Sequence, residues 1–195
     1  MIRIAHRRNT VAELDATPQT LGVEVDIRTR NNSLIVHHDA FAEGELLESW
    51  LEHYHHGLLV LNVKEEGLEE RLGDLMDRRG IEDFFFLDQS FPFLLKTAAR
   101  GERRCAVRVS EFESIETALS LAGRVDWVWV DCFTRFPLTA DGARRLAAEG
   151  FRLCLVSPEL QGHEASVGIP ALRGLLLTEG ILADAVCTKH PELWS

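Results

Sequence analysis

The chain alternates short apolar runs with helical patterns, and that alternation restricts it to α/β architectures. The runs predict strands over Ile2 to Ala5, Gly22 to Ile27, Leu58 to Val63, Phe84 to Leu87, Cys105 to Val109, Trp127 to Val130, Leu153 to Val156 and Ala185 to Cys187. They are short, continuous and rich in β-branched or aromatic residues, as parallel strands buried on both faces should be. Between them, spacing predicts helices over Glu45 to Tyr54, Leu68 to Arg79, Phe93 to Arg100, Ser114 to Leu121, Asp141 to Ala148 and Ala171 to Thr178. Arg79-Gly80, Arg100-Gly101 and Glu149-Gly150 supply the glycines that end such helices.

Eight strands with helices between them predict a compact (β/α)8 TIM barrel, here in 195 residues where about 250 is usual. A doubly wound open sheet is the structural alternative. Ser33 to His37 predicts one more strand, forming a hairpin with the second strand across Asn31-Asn32. The segment between the first two strands, which contains Pro18, reads as irregular. With 46% hydrophobic residues the chain can bury one core, so residues 1–195 are read as a single domain.

Charge and composition narrow the function. A net charge of -10 argues against a nucleic-acid partner, because phosphate backbones are held by clustered Lys and Arg. Nothing approaches the roughly 18 consecutive apolar residues of a membrane span. The start, Met1-Ile2-Arg3-Ile4-Ala5-His6, lacks the apolar stretch of a secretory signal, so a cytoplasmic protein is expected. Cys105, Cys132, Cys154 and Cys187 form no CxxC pair and read as buried reduced thiols. Oligomeric state leaves no signal.

Polar residues collect where the apolar runs end: His6-Arg7, Glu24 and Asp26, His38, Asn62 with Lys64, Asp88, Arg108, Asp131, Glu159 and Lys189. In a barrel, the loops after the strands converge on one rim and build the site. Glu24 and Asp26, two apart on a strand, share a face. Together and buried they need compensation, either from a hard cation such as Mg2+ or Ca2+ or by pairing with Arg7, Arg28 or Lys64. His6 and His38 could take a proton from a nucleophile and give one to a leaving oxygen. Arg7 and Lys64 could hold phosphate oxygens. His53, His55 and His56 read as a solvated helix end, and His37 has no comparable support.

Ile4-Ala5-His6-Arg7, Val23-Glu24-Val25-Asp26-Ile27-Arg28, Leu34-Ile35-Val36-His37-His38-Asp39 and Val63-Lys64 follow one another in the order and spacing of a known pattern. The chain resembles the glycerophosphodiester phosphodiesterase family, in its HRG, ExD and hydrophobic-HD motifs. The resemblance covers about the first third of the chain; beyond it, Cys187-Thr188-Lys189-His190-Pro191 is similar to a closing TDxP segment. It implies a barrel that cleaves a phosphodiester with metal assistance. His6 and His38 would be the acid/base pair, Arg7 a phosphate contact, and Glu24 and Asp26 metal ligands for Mg2+ or Ca2+.

The departures from that pattern matter equally. Arg8 stands where the family has the glycine of HRG, Asn9-Thr10 closes a shortened loop, and Lys189 replaces an aspartate. Asn62 replaces the third carboxylate; as a metal ligand it would bring an amide oxygen without charge. The expectation is a phosphodiesterase for a soluble glycerophosphodiester-like or sugar-phosphodiester substrate, without stable membrane insertion. The alternatives are a catalytically impaired barrel that binds a phosphorylated ligand or partner, and a lyase or aldolase using Lys64 or Lys189 as a Schiff-base amine.

Overall fold

Ten short strands, four of them buried along their whole length, supply the core that the apolar runs predict. The chain, described from Met1 to Ser195 by a computed structural model, opens with β1 (Ile2–Ala5). Contacts divide it into two compact units, residues 5–101 and residues 1–4 with 102–195. No helix is long and apolar enough to cross a membrane.

The unit of residues 5–101 contains α1 (Val11–Asp15), β2 (Gly22–Arg30), β3 (Ser33–Val36), β4 (Glu45–Leu46), α2 (Leu47–Glu52), β5 (Leu59–Val63), α3 (Glu69–Arg79), β6 (Phe84–Leu87) and α4 (Phe91–Ala99). β2 pairs in parallel with β5, and β5 with β6. Beyond Ile27, β2 runs on and turns back antiparallel into β3. The turn is Asn31-Asn32, both left-handed at φ 49° and 63°, a geometry that asparagine tolerates. Val23, Val25, Leu59, Leu61, Phe84 and Phe86 are buried, with the Phe84 and Phe86 rings edge-to-face at 5.3 Å. Trp50 of α2, fully buried, donates its indole N–H to the Arg8 carbonyl at 2.8 Å.

The second unit continues with β7 (Ala106–Val109), α5 (Ile115–Leu119), β8 (Trp127–Val130), α6 (Ala140–Ala148), β9 (Arg152–Val156), α7 (Ala165–Glu179) and β10 (Ala185–Thr188). Strands β7 to β10 are parallel neighbours in chain order. The α/β reading and all eight main strands therefore stand. Three elements differ from expectation. The irregular stretch before β2 forms α1, closed by a capping box in which Thr10 Oγ1 accepts from Glu13 N and Glu13 accepts from Thr10 N. Glu45–Leu46 pairs with β3 instead of opening a helix. α7 starts at Ala165 and runs through Pro170 rather than starting after it.

Candidate active site

Alternation along β2 turns Val23, Val25 and Ile27 to one face and Glu24 and Asp26 to the other. The register sets Asp26 beside Asn62 of β5, and Lys64 follows two residues later on the same side. Four polar side chains thus meet on neighbouring strands. Glu24 and Asp26 are each 1% exposed and Asn62 is 7% exposed, so every charge here must find a partner inside the protein.

The partners are close. Asn62 Nδ2 donates to Glu24 Oε1 at 2.8 Å and the Arg7 backbone N–H donates to Glu24 Oε2 at 2.7 Å. Lys64 Nζ is 3.3 Å from Asp26 Oδ1, and Arg7 Nε is 3.4 Å from Asp26 Oδ2. Asn9 grips the same residue twice: its Nδ2 donates to Asp26 Oδ2 at 2.7 Å, and its Oδ1 accepts from Asp26 N at 3.0 Å. Arg7 is left-handed, at φ 53°. This uncommon conformation goes with a backbone that meets Glu24 twice, since Arg8 N also donates to the Glu24 carbonyl at 2.8 Å.

His6 Nε2 lies 3.8 Å from Glu24 Oε2. Burial, then the neighbouring Asp26 charge, pushes the Glu24 carboxyl up to about 7, against the opposing pull of Asn62, the Arg7 amide and Lys64.

His38 follows β3, held level with Asp26 because His37 N donates to the Asp26 carbonyl at 3.0 Å. Its Nδ1 is 2.8 Å from Asp39 Oδ1, an arrangement that leaves Nε2 as the working atom. The His38 hydrogen bond chiefly, and the Arg7 charge among others, holds Asp39 below the usual carboxylate range. Arg28 ties this loop to β5: its Nε donates to the His38 carbonyl at 2.9 Å and its Nη1 to the Lys64 carbonyl at 3.3 Å.

His6, Arg7, Glu24, Asp26, Asn62 and Lys64 are thus brought into one contact network, and His38 stands beside it, linked through backbone, Arg28 and Asp39. Asp88, left-handed at φ 60° after β6, joins through Lys64 at 3.1 Å. Asn9 and Arg28 are the members that sequence reasoning missed. Asn9 left one signal, its position just before the α1 cap; Arg28 left none beyond being a possible carboxylate partner. His53 and His56 bind elsewhere, to Asp15 Oδ1 at 3.0 Å and the Thr17 carbonyl at 2.9 Å.

In the second unit the polar strand ends form two clusters of their own. Arg108 Nη1 is 3.6 Å from Asp131 Oδ2, and Gln161 donates to Asp131 Oδ1 at 2.5 Å. Glu159 accepts from Ser157 Oγ, from Thr188 Oγ1 at 2.6 Å and from Lys189 N at 2.9 Å.

Glu24, Asp26 and Asn62, the expected metal ligands, are brought together, with three of their oxygens engaged by donors of the chain. A hard cation is held by oxygens directed at one point, one or two of them carboxylate and the rest carbonyl, amide or water. Here both Glu24 oxygens and Asp26 Oδ2 already accept from donors of the chain, and Asp26 Oδ1 faces the Lys64 ammonium. Asn62 turns its NH2 toward Glu24; its Oδ1 and Asp26 Oδ1 are both buried without a hydrogen-bond partner, the latter 3.3 Å from the Lys64 ammonium. No three His, Cys, Asp or Glu side chains gather to hold a metal ion.

No family model matches the sequence, and no curated protein matches it. Among solved structures, one of a Pseudomonas aeruginosa protein provisionally assigned as an aldo-keto reductase is 14% identical with a TM-score of 0.42, covering 99% of this chain and 74% of that one. That level of likeness carries no argument. Over 100% of its length and 97% of the other, with a TM-score of 0.66 at 15% identity, the chain is similar in fold to the glycerophosphodiester phosphodiesterase from Agrobacterium tumefaciens str. C58.

Proposed function

We propose that the chain hydrolyses a soluble phosphodiester of glycerophosphodiester or sugar-phosphodiester type. The observation that carries this reading is the buried cluster of Glu24, Asp26, Asn62 and Lys64, flanked by His6, Arg7 and the His38–Asp39 pair, in a chain whose whole length is similar to a phosphodiesterase fold. The fold that goes with this activity is a single-domain (β/α)8 TIM barrel over residues 1–195.

In this reading Arg7 and Lys64 face the non-bridging oxygens and offset the charge that grows on them during attack. His6 accepts the proton of the attacking water or substrate hydroxyl as its oxygen bonds to phosphorus. His38, oriented by Asp39, gives a proton to the leaving alkoxide as the second P–O bond breaks. Attack by a substrate hydroxyl would release a cyclic phosphate, attack by water a monoester. No step is assigned to a divalent cation, since both Glu24 oxygens and Asp26 Oδ2 are committed to donors of the chain and Lys64 lies against Asp26 Oδ1.

The test is hydrolysis of glycerophosphodiesters and of bis(p-nitrophenyl) phosphate by the full chain and by His6→Ala and His38→Ala. Loss of at least about 100-fold in both is expected if each moves a proton. Undiminished rates in both variants sink the mechanism. Asn62 in place of a carboxylate favours a second reading, a site that binds a phosphorylated ligand without cleaving it. A thermal shift with phosphomonoesters but no turnover of any diester would select it.

A further inference from the structure

Glu24, Asp26, Asn62 and Lys64 bring two acids, one amide and one amine together, with Arg28 next along the same face of β2. Burying two carboxylates side by side is costly unless positive charge lies against them. The chain supplies that charge itself. Lys64 Nζ sits 3.3 Å from Asp26 Oδ1 and 3.1 Å from Asp88 Oδ2, bridging an acid of β2 and one just after β6, while Arg7 Nε covers the other Asp26 oxygen at 3.4 Å. Glu24 is satisfied by an amide and a backbone N–H, at 2.8 and 2.7 Å.

From this geometry we infer that the Lys64 ammonium is the resident cation of the site, and that the site takes up the phosphodiester monoanion without a divalent metal. Asn62 is the residue that makes this balance possible. A carboxylate at that position would face Glu24 where the amide N–H now donates, adding a repulsion that an extra cation or a shared proton would have to relieve. The amide instead acts as donor to Glu24 and removes one charge from the set. Lys64, only 17% exposed and fixed between Asp26 and Asp88, is then pre-positioned to contact a non-bridging oxygen together with Arg7.

The claim about the ligand rests on the phosphodiesterase reading; the claim about the cation does not, and the two are measured apart. Mn2+ binding to the full chain is followed by electron paramagnetic resonance and calorimetry for wild type, Asn62→Glu, Asn62→Asp and Asp26→Asn, with circular dichroism to confirm folding. Hydrolysis is run with Mn2+ and with a chelator. Wild type is expected to bind no stoichiometric Mn2+ up to millimolar concentration, and at least one Asn62 carboxylate variant to gain tenfold or more in affinity. Chelator should leave wild-type hydrolysis unchanged, and Lys64→Met should lose at least 100-fold. Stoichiometric wild-type binding of Mn2+ that disappears in Asp26→Asn overturns the inference, as does hydrolysis abolished by chelator and restored by Mn2+. If no diester is hydrolysed under any condition the functional reading fails, while the wild-type Mn2+ titration still decides the cation.

Discussion

Glu24 gives the site a pH signature that a single substitution can isolate. Its carboxyl is pushed from 4.5 up to about 7, first by burial and then by Asp26. Between those values the folded protein holds a proton that the unfolded chain has released. This stabilisation is fully present below about pH 4.5, declines as pH rises and is gone above about pH 7; its size is about 3 kcal/mol. Glu24→Gln cannot titrate, and Asn62 can flip its amide to suit it. The difference in stability between Glu24→Gln and wild type, from urea unfolding at pH 5, 6, 7 and 8, should therefore shift in favour of the variant as pH rises to about 7. A difference independent of pH would show that Glu24 is not held above its ordinary range. Arg28 allows a complementary test, because it touches the backbone of two site residues and no reacting atom. Arg28→Met leaves two carbonyls without their donor, a loss of about 1–3 kcal/mol in stability. It should also lower kcat by tenfold or more with a smaller change in KM, through displacement of His38 and Lys64. Loss of stability with kcat intact would make Arg28 structural only.

At the scale of elements, loops held by side chains matter as much as strands. Glu111, after β7, accepts from the backbone N–H groups of Phe133, Thr134 and Arg135 at 3.2, 2.6 and 2.6 Å. Burial alone would raise its carboxyl, but these donors outweigh it and hold the group down to about 2. Glu111→Ala should release the loop after β8, seen as protease cleavage and faster amide exchange at residues 133–135 with the strands still protected; unchanged exchange there would mean that other contacts hold the loop. Such loops explain which elements could be read from sequence. Buried parallel strands are continuous apolar runs, so all eight main ones were legible. α1 was not, because five residues give too little periodicity and only its Thr10–Glu13 capping box marks it. The start of α7 was missed because Pro170, a natural first-turn residue, lies inside the helix. The candidate site was legible in residue types but not in partners. Nothing in the string records that left-handed Arg7 turns its N–H to Glu24, or that Asn9 spans both the side chain and the backbone of Asp26.

For the whole molecule, the distribution of thiols provides a measurement that the site does not disturb. All four cysteines lie in the unit of residues 1–4 and 102–195, and all are buried thiols outside any disulfide. Burial, with Asp184 nearby, pushes Cys154 well above its ordinary 9.0; burial, with Glu111 and Asp131, pushes Cys132 up to about 11. At pH 8 a thiol near 11 carries about a hundredth of the thiolate of one at 9.0, and thiolate is the reactive form. Cys132, the most exposed at 9%, should therefore react with an aromatic disulfide reagent at least about 100-fold more slowly than a free thiol. Cys105, Cys154 and Cys187, each 0% exposed, should react only as that unit opens. Their rate is then expected to fall when the unit is stabilised and to rise with urea along the unfolding curve, with four thiols reacting in the unfolded chain. A thiol that labels in native protein at the free rate would mean that this core is open in solution. Labelling that is independent of urea would separate thiol exposure from unfolding altogether.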